Sequence, residues 1–132
     1  MSRENVDLVR RWLEAWNRGD LDRMLSLFDP EVEWRTSGAF VGTDLVYTGH
    51  DGFRKFWREF NESWESCQVK TDDVRDCGDR TLGLGSFEAQ GRDGLQVQRP
   101  TASVWTFRGG RAVVVQVYAD QAQALKAVGL RE

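Results

Sequence analysis

The sequence predicts one α+β domain over residues 1–132, in which a strongly curved antiparallel β-sheet wraps around a long N-terminal helix. The first observation behind this prediction is an apolar stripe at the helical spacing i, i+3, i+4 and i+7, formed by Val9, Trp12, Leu13 and Trp16. The second is that the latter half of the chain alternates with the period of two that is typical of strands. Helices that precede such a run of strands are expected to collect on one face of the sheet, which then encloses a cone.

Residues that are typical of helix ends delimit the predicted helices. Gly19 is suited to the left-handed conformation that ends the first helix, and Asp20 is suited to cap a short second one. That second helix is predicted to end before Pro30, because proline disfavours a helical conformation in the residue preceding it. A third helix is expected from about Asp51, with an aromatic stripe formed by Phe53, Phe56, Trp57, Phe60 and Trp64. Residues 38–49 are predicted to be a loop that is too apolar to extend freely into solvent.

Glycine-rich turns separate the predicted strands. The strands are expected over residues 31–36, 68–74, 81–90, 95–107 and 112–119. The Asp93-Gly94 pair predicts a tight hairpin turn between the third and fourth of them. Gly83 and Gly85 indicate a bend in the strand that carries them. Asp120 is predicted to cap a C-terminal helix rather than to act as a base.

The charge distribution excludes some classes of partner. A net charge of −3 and a pI near 5.3, with basic residues scattered among acidic ones, give no basis for expecting nucleic-acid or anionic-membrane binding. The N-terminus lacks the apolar core of a signal peptide and no stretch is long enough to span a bilayer, so a cytoplasmic location is expected. The single histidine and the two cysteines, Cys67 and Cys77, have no metal-ligand spacing, so neither a metal nor another cofactor is expected.

Five segments, taken in order, carry a resemblance to a known family. They are residues 12–20, 27–34, 47–53, 104–111 and 118–130. Together they resemble the SnoaL-like polyketide cyclase group of the nuclear transport factor 2-like superfamily. The resemblance implies a cystatin-like α+β barrel, a cone-shaped sheet around the first helix, with a pocket for a hydrophobic small molecule. It does not specify a reaction, because this fold hosts isomerases, cyclases, hydrolases and non-catalytic binders.

The acid–base residues of well-known relatives are not matched in this sequence. Ketosteroid isomerases of the superfamily carry a base and two acidic hydrogen-bond donors at positions that correspond here to Trp34, Trp12 and Ser103. An indole is neither a base nor a suitably acidic donor, and serine is a weak donor, so that isomerisation mechanism is disfavoured. The last-strand aspartate used by the epoxide hydrolase and cyclase types falls near Val117.

A different polar pair is the candidate catalytic site. The predicted strand 95–107 places Arg99 on the same inner face as Trp105, and the parity expected for the preceding strand places Glu88 there too. The predicted hairpin turn would then make Glu88 and Arg99 diagonal neighbours. Such a pair can position a water, transfer a proton or bind a polar substrate group. The alternatives are an ion pair that only closes the rim, or a register that places Glu88 outside.

The other candidate residues are predicted to bind a ligand. A mostly aromatic cavity is expected to be lined by Trp12, Trp16, Trp34, Phe56, Phe60, Ser103 and Trp105. Two functions remain open at this point. The first is a cofactor-free isomerase, cyclase or hydrolase that acts on a polycyclic or terpenoid-like substrate by proton transfer. The second is a non-catalytic ligand-binding protein or dimeric accessory protein of the same fold.

Two further predictions concern residues away from the cavity. The outer face of the sheet is expected to be mixed in polarity and to carry Ala102, Val104, Thr106, Val114, Gln116 and Tyr118. Members of the superfamily commonly dimerise through this face, so the resemblance implies a homodimer. His50 is expected to make a contact within its own turn rather than to reach the pocket, although its ordinary pKa lies near neutrality.

Overall fold

The structure, a computed structural model, describes residues 2–40 and 43–130 of the chain. The helices are α1 (Ser2–Arg18), α2 (Leu21–Ser26), α3 (Gly49–Ser63) and α4 (Gln121–Ala127). The strands are β1 (Phe28–Arg35), β2 (Val46–Thr48), β3 (Trp64–Asp76), β4 (Arg80–Gly91), β5 (Gln96–Arg108) and β6 (Arg111–Tyr118). The predicted α+β class is confirmed, with β2 added inside the stretch that the sequence assigned to a loop. Residues 41 and 42 of that predicted loop lie outside the described residues.

The described strands form one six-stranded sheet in the order β2-β1-β6-β5-β4-β3. Neighbouring strands are antiparallel except β1 and β6, which run parallel with Trp34 beside Val115. The expectation of a wholly antiparallel sheet was therefore wrong for this one pair. Its cause is the crossover between β1 and β6, because a strand that returns to the sheet after a long connection is free to pair in parallel. The sheet is curved but does not close, and α1 lies against its concave face.

Polar side chains fix the ends of α1 and α2. Gly19 has a φ of +69°, the left-handed conformation that the sequence predicted for the end of α1. Asp20 caps α2 by accepting a hydrogen bond from the backbone N–H of Arg23 at 3.0 Å. The Asn17 side chain accepts from the backbone N–H of Val69 at 2.7 Å and donates to its carbonyl oxygen at 2.9 Å. Asn17 thus substitutes for a neighbouring strand at the free edge of β3 and holds α1 there.

The outer face of the sheet carries a second, smaller core. Here α4 packs Ala124 and Leu125 onto Leu82, Ala102 and Val104. The Asp120 carboxylate accepts a hydrogen bond from the backbone N–H of Ala122 at 2.9 Å, which confirms the predicted cap. Because α4 covers part of the outer face, less of that face is available for the homodimer that the resemblance implies. The homodimer itself stays a prediction.

In the part of the chain that the structure describes, no helix has both the length and the apolar character needed to cross a bilayer. Cys67 and Cys77 are both free thiols and lie at opposite ends of the β3 region.

Candidate functional site

Aromatic rings from α1, α3 and β1 meet inside the cone. Trp12 stands at their centre, with its ring centroid 5.2–6.0 Å from those of Trp16, Phe28, Trp34, Phe53 and Trp105. Two of these five contacts, those with Phe53 and Trp105, are edge-to-face, an arrangement that the quadrupoles of aromatic rings favour. The helical spacing in α1 places Trp12 and Trp16 one turn apart on the face that meets the sheet. The predicted aromatic interior is therefore present.

The rings leave an inner cavity of about 60 Å³ between α1 and the sheet. Five of the seven predicted ligand-binding residues line it, namely Trp12, Trp16, Trp34, Ser103 and Trp105. Phe56 does not line it, because its fully buried ring packs behind Trp34 and Phe40. Residues that the sequence did not single out complete the wall, among them Phe40, Cys67 and Phe87.

A wider outer cavity of about 430 Å³ adjoins the inner one. Phe40 and Phe87 line both, so these two rings form the partition between them. Phe60, the seventh predicted ligand-binding residue, lines the outer cavity together with Trp64 and Arg99. At about 60 Å³ the inner cavity is smaller than the roughly 150 Å³ cavity known to hold one benzene ring, so even a one-ring ligand would extend past Phe40 and Phe87 into the outer cavity.

The structure does not bring Glu88 and Arg99 together. The register pairs Phe87 with Arg99 and Glu88 with Gln98, so Glu88 and Arg99 lie on opposite faces of the sheet. Arg99 is on the inner face, as predicted, but it is exposed in the outer cavity. Glu88 is exposed on the outer face, where the prediction was wrong. The proposed acid–base pair thus loses its geometric basis.

The hairpin between β4 and β5 explains this error. Its loop holds three residues rather than two, because the Gly91 N–H donates to the Leu95 carbonyl at 2.7 Å. The Gly94 N–H donates to the Gly91 carbonyl at 3.0 Å, and Gly94 has a φ of +90°. A turn followed by a left-handed glycine is the common three-residue hairpin loop. One additional loop residue shifts the register by one, and that shift moves every side chain of β4 to the other face.

Three tryptophan N–H groups in the aromatic cluster lack a nitrogen or oxygen acceptor among the described residues. They belong to Trp12, Trp16 and Trp34, whose side chains are only 2%, 4% and 3% exposed. The Trp16 indole is close enough to the Cys67 sulfur, a weak acceptor, to offset part of the rise that burial causes in the pKa of that thiol. A buried donor without a partner costs on the order of 1–3 kcal/mol, so each such group needs a physical reason to persist.

The inner cavity offers little acid–base chemistry. Among its described lining residues there is no Asp, Glu, His, Lys or Arg, and Cys67 is the one ionisable side chain. Burial raises the pKa of the Cys67 thiol to about 11, against the opposing effect of the Trp16 hydrogen bond. The thiol is therefore neutral at physiological pH and is a poor nucleophile there.

Other polar side chains anchor the structure around the cavities. The Tyr47 hydroxyl donates to Glu59 at 2.6 Å and accepts from the Asp44 N–H at 2.7 Å. Burial, followed by the Glu59 hydrogen bond, raises the pKa of Tyr47 to about 12. The His50 ring lies 3.2 Å from the carbonyl oxygen of Phe28 and lines neither cavity. Its partner belongs to β1, not to its own turn as the sequence suggested.

Comparison with known proteins identifies the family and fold. The SnoaL-like domain family matches residues 9–115. An NTF2-like protein of unknown function from Burkholderia pseudomallei K96243 superimposes with a TM-score of 0.81 at 25% identity, covering 96% of this chain and 98% of that one. TerC, co-crystallised with polyporic acid, gives 0.81 at 20% identity over 95% and 98%.

A putative polyketide cyclase from Xanthomonas campestris pv. campestris gives a TM-score of 0.73 at 20% identity, over 97% of this chain and 98% of that one. No curated protein matches the sequence. At this level of identity the solved structures establish a shared fold, and the chemistry of the site has to be argued from its own residues.

Proposed function

We propose, from the premise that the chain belongs to the SnoaL-like domain family, that it binds a flat and mainly apolar small molecule inside the cone. The observation that carries this proposal is the inner cavity, whose walls are aromatic and include three buried indoles that have no nitrogen or oxygen acceptor among the described residues. Mostly apolar clefts with a few polar groups are typical of ligand pockets. TerC, a protein of the same fold, was co-crystallised with polyporic acid, which is consistent with a small organic ligand for this chain too.

Binding without chemical conversion is the function that the geometry supports best. Proton transfer needs a group whose pKa is matched to the working pH and which lies within hydrogen-bond reach of the substrate. The one ionisable group in the described wall of the inner cavity is the Cys67 thiol. Its raised pKa keeps it protonated near neutrality, so it cannot act as a base there. The role is therefore that of a ligand-binding protein, such as a carrier, a sensor or an accessory subunit.

Filling the inner cavity is expected to abolish binding without unfolding the protein. Val69→Phe places a ring in the cavity, whereas its contacts with Asn17 are made by the Val69 backbone and are retained. Calorimetric titration with indane, 1-indanone, fluorene and 9-fluorenone should show at least about tenfold weaker binding than in the wild type, a difference of roughly 1.4 kcal/mol. A wild-type protein that binds none of the four compounds would refute the proposed function.

Val114→Phe is the matched control. Val114 is also a half-buried strand valine, but it pairs with Thr106 on the outer face and lines neither cavity. This variant should bind the same compounds as tightly as the wild type does. If both variants weaken binding equally, the ligand does not occupy the inner cavity.

A cofactor-free enzyme acting by proton transfer is the second candidate function. Arg99 favours it, because its guanidinium is exposed on the inner face of the outer cavity and forms no ion pair with the described residues. A guanidinium there is able to polarise a carbonyl group or bind an anionic substituent. The similarity to a putative polyketide cyclase is compatible with such chemistry.

Proton exchange separates the two candidate functions. If the protein only binds, it leaves the exchange of the protons beside the carbonyl of 1-indanone in D₂O at the rate of buffer alone, as followed by NMR. Catalysed exchange that Arg99→Gln reduces at least about tenfold, in the range expected for a group that assists proton transfer, would instead establish the enzyme. Arg111→Gln is the control, since Arg111 is exposed and lines neither cavity.

A further inference from the structure

In the inner cavity, the hydrogen bond between Trp105 and Ser103 can run in one direction only. The Trp105 Nε1 and the Ser103 Oγ lie 2.8 Å apart. An indole N–H is only a donor, so the serine oxygen must be the acceptor in this contact. Trp105 is 1% exposed, and its ring packs against those of Trp12 and Phe107, with centroid distances of 5.2 and 6.4 Å. The serine hydroxyl is therefore oriented by a rigid neighbour.

The hydroxyl hydrogen of Ser103 is left without an acceptor among the described residues. The only hydrogen bond between the Ser103 Oγ and the described residues is the one that this oxygen accepts from Trp105. The next hydroxyl along the same face, Thr101, differs because it donates to the Tyr118 carbonyl oxygen at 3.4 Å. Both residues line the inner cavity, but only Ser103 has its donor unused.

The strand beside Ser103 keeps the space next to this hydroxyl open. Gly83 is the residue directly opposite Ser103 in β4. A Cβ at Gly83 would lie 2.9 Å from the Ser103 Oγ, closer than ordinary contact allows. The absence of a side chain at Gly83 thus leaves the serine hydroxyl accessible from the cavity, which Gly83 also lines.

The Ser103 hydroxyl is a donor that this wall offers to a ligand. The N–H groups of Trp12, Trp16 and Trp34 also have no nitrogen or oxygen acceptor in the described chain, but they are fully buried and are not exposed to the cavity. A ligand that complements Ser103 has an acceptor oxygen, because a ligand without one would leave the serine donor unpaired.

We propose that the Trp105–Ser103 pair is a hydrogen-bond donor that selects carbonyl-bearing aromatic ligands, with the ligand carbonyl oxygen accepting from Ser103 Oγ. This proposal rests on the proposed function, since it assigns the ligand class of the same cavity. It gives Ser103 a binding role, and it makes Trp105 a positioning residue that occupies a serine lone pair and so directs the hydroxyl hydrogen toward the ligand.

Matched pairs of ligands test the proposal. Indane and 1-indanone have similar shapes, as do fluorene and 9-fluorenone, and within each pair only the ketone carries an acceptor. In the wild type each ketone should bind about five- to tenfold more tightly than its hydrocarbon, the difference expected for one hydrogen bond made in a buried site. Ser103→Ala should remove this preference and leave the affinity for the hydrocarbons within about twofold.

Two further variants sharpen the test. Trp105→Phe keeps a ring in the core but frees the serine lone pair, so the ketone preference should fall to an intermediate value. Thr101→Val removes the cavity hydroxyl that already has an acceptor and should leave the preference intact. Binding of both classes with a ratio that Ser103→Ala does not change would overturn this proposal alone. Binding of neither class by the wild type would overturn the proposed function, and this inference with it.

Discussion

Trp12→Ala is expected to lower the free energy of unfolding by about 3–5 kcal/mol, the range for removing a large aromatic side chain from a packed core. Trp12 is 2% exposed and contacts five other aromatic rings, so its removal leaves a hole that none of them fills without losing other contacts. Domains of this size have a total stability of about 5–15 kcal/mol, so this single change removes a large share of it.

Urea denaturation followed by circular dichroism measures this loss. Trp57→Ala is the matched control, since Trp57 is a half-buried tryptophan at the edge of the same cluster. Its replacement should cost clearly less than that of Trp12. Trp12→Phe keeps a ring in place and should cost about 1–2 kcal/mol, which provides a measurement if the alanine variant does not fold. Equal losses for Trp12→Ala and Trp57→Ala would show that Trp12 is not the centre of the core.

Gly85→Ala is expected to destabilise the protein by about 3 kcal/mol or more, which is at the upper end for overpacking. A Cβ at Gly85 would lie 2.1 Å from the carbonyl oxygen of Lys70, and this neighbour is backbone that cannot rotate away. The close approach arises where β3 has an irregularity in register between Thr71 and Asp73. An extra residue in one strand bends the sheet, and here it moves the backbone of β3 over Gly85.

Gly83→Ala is the control for Gly85→Ala. A Cβ at Gly83 also meets a close neighbour, but that neighbour is the Ser103 side-chain hydroxyl, at 2.9 Å, which can move aside at the cost of its hydrogen bond from Trp105. The loss in free energy of unfolding should therefore stay near 1 kcal/mol, a typical value for a single substitution. If thermal and urea unfolding rank the two variants in the opposite order, the contact between β3 and Gly85 is not a constraint on the bend.

The residues that we placed correctly from the sequence are those whose role depends on their near neighbours in the chain. Gly19 and Asp120 act through the conformation or the hydrogen bonds of their own turns, and both behave as predicted. Trp12 and Trp16 reach the core because helical spacing alone places them on one face. Gly85 indicated a bend in β4, although the strand that approaches it could not be named from the pattern.

The residues that we misplaced from the sequence are those whose position depends on the register between strands. Glu88 was expected inside and lies outside, because a three-residue loop replaced the two-residue turn that was predicted. Phe87 was missed as a cavity residue because of the same register shift, and Phe40 was missed because it lies in a loop. The left-handed Gly94, preceded by two turn residues, was the local signal that could have indicated the longer loop.

By itself, the sequence determined the class of the fold, the aromatic character of the interior and the absence of the well-known acid–base residues at Trp12, Trp34 and Ser103. Periodicity and composition carry these properties, and both are local. Only the tertiary structure decided that Glu88 and Arg99 are apart, and that Ser103 is paired with Trp105 and faces a cavity without a base. Side chains alternate between the faces of a strand, so one residue in a turn decides which of them line the site.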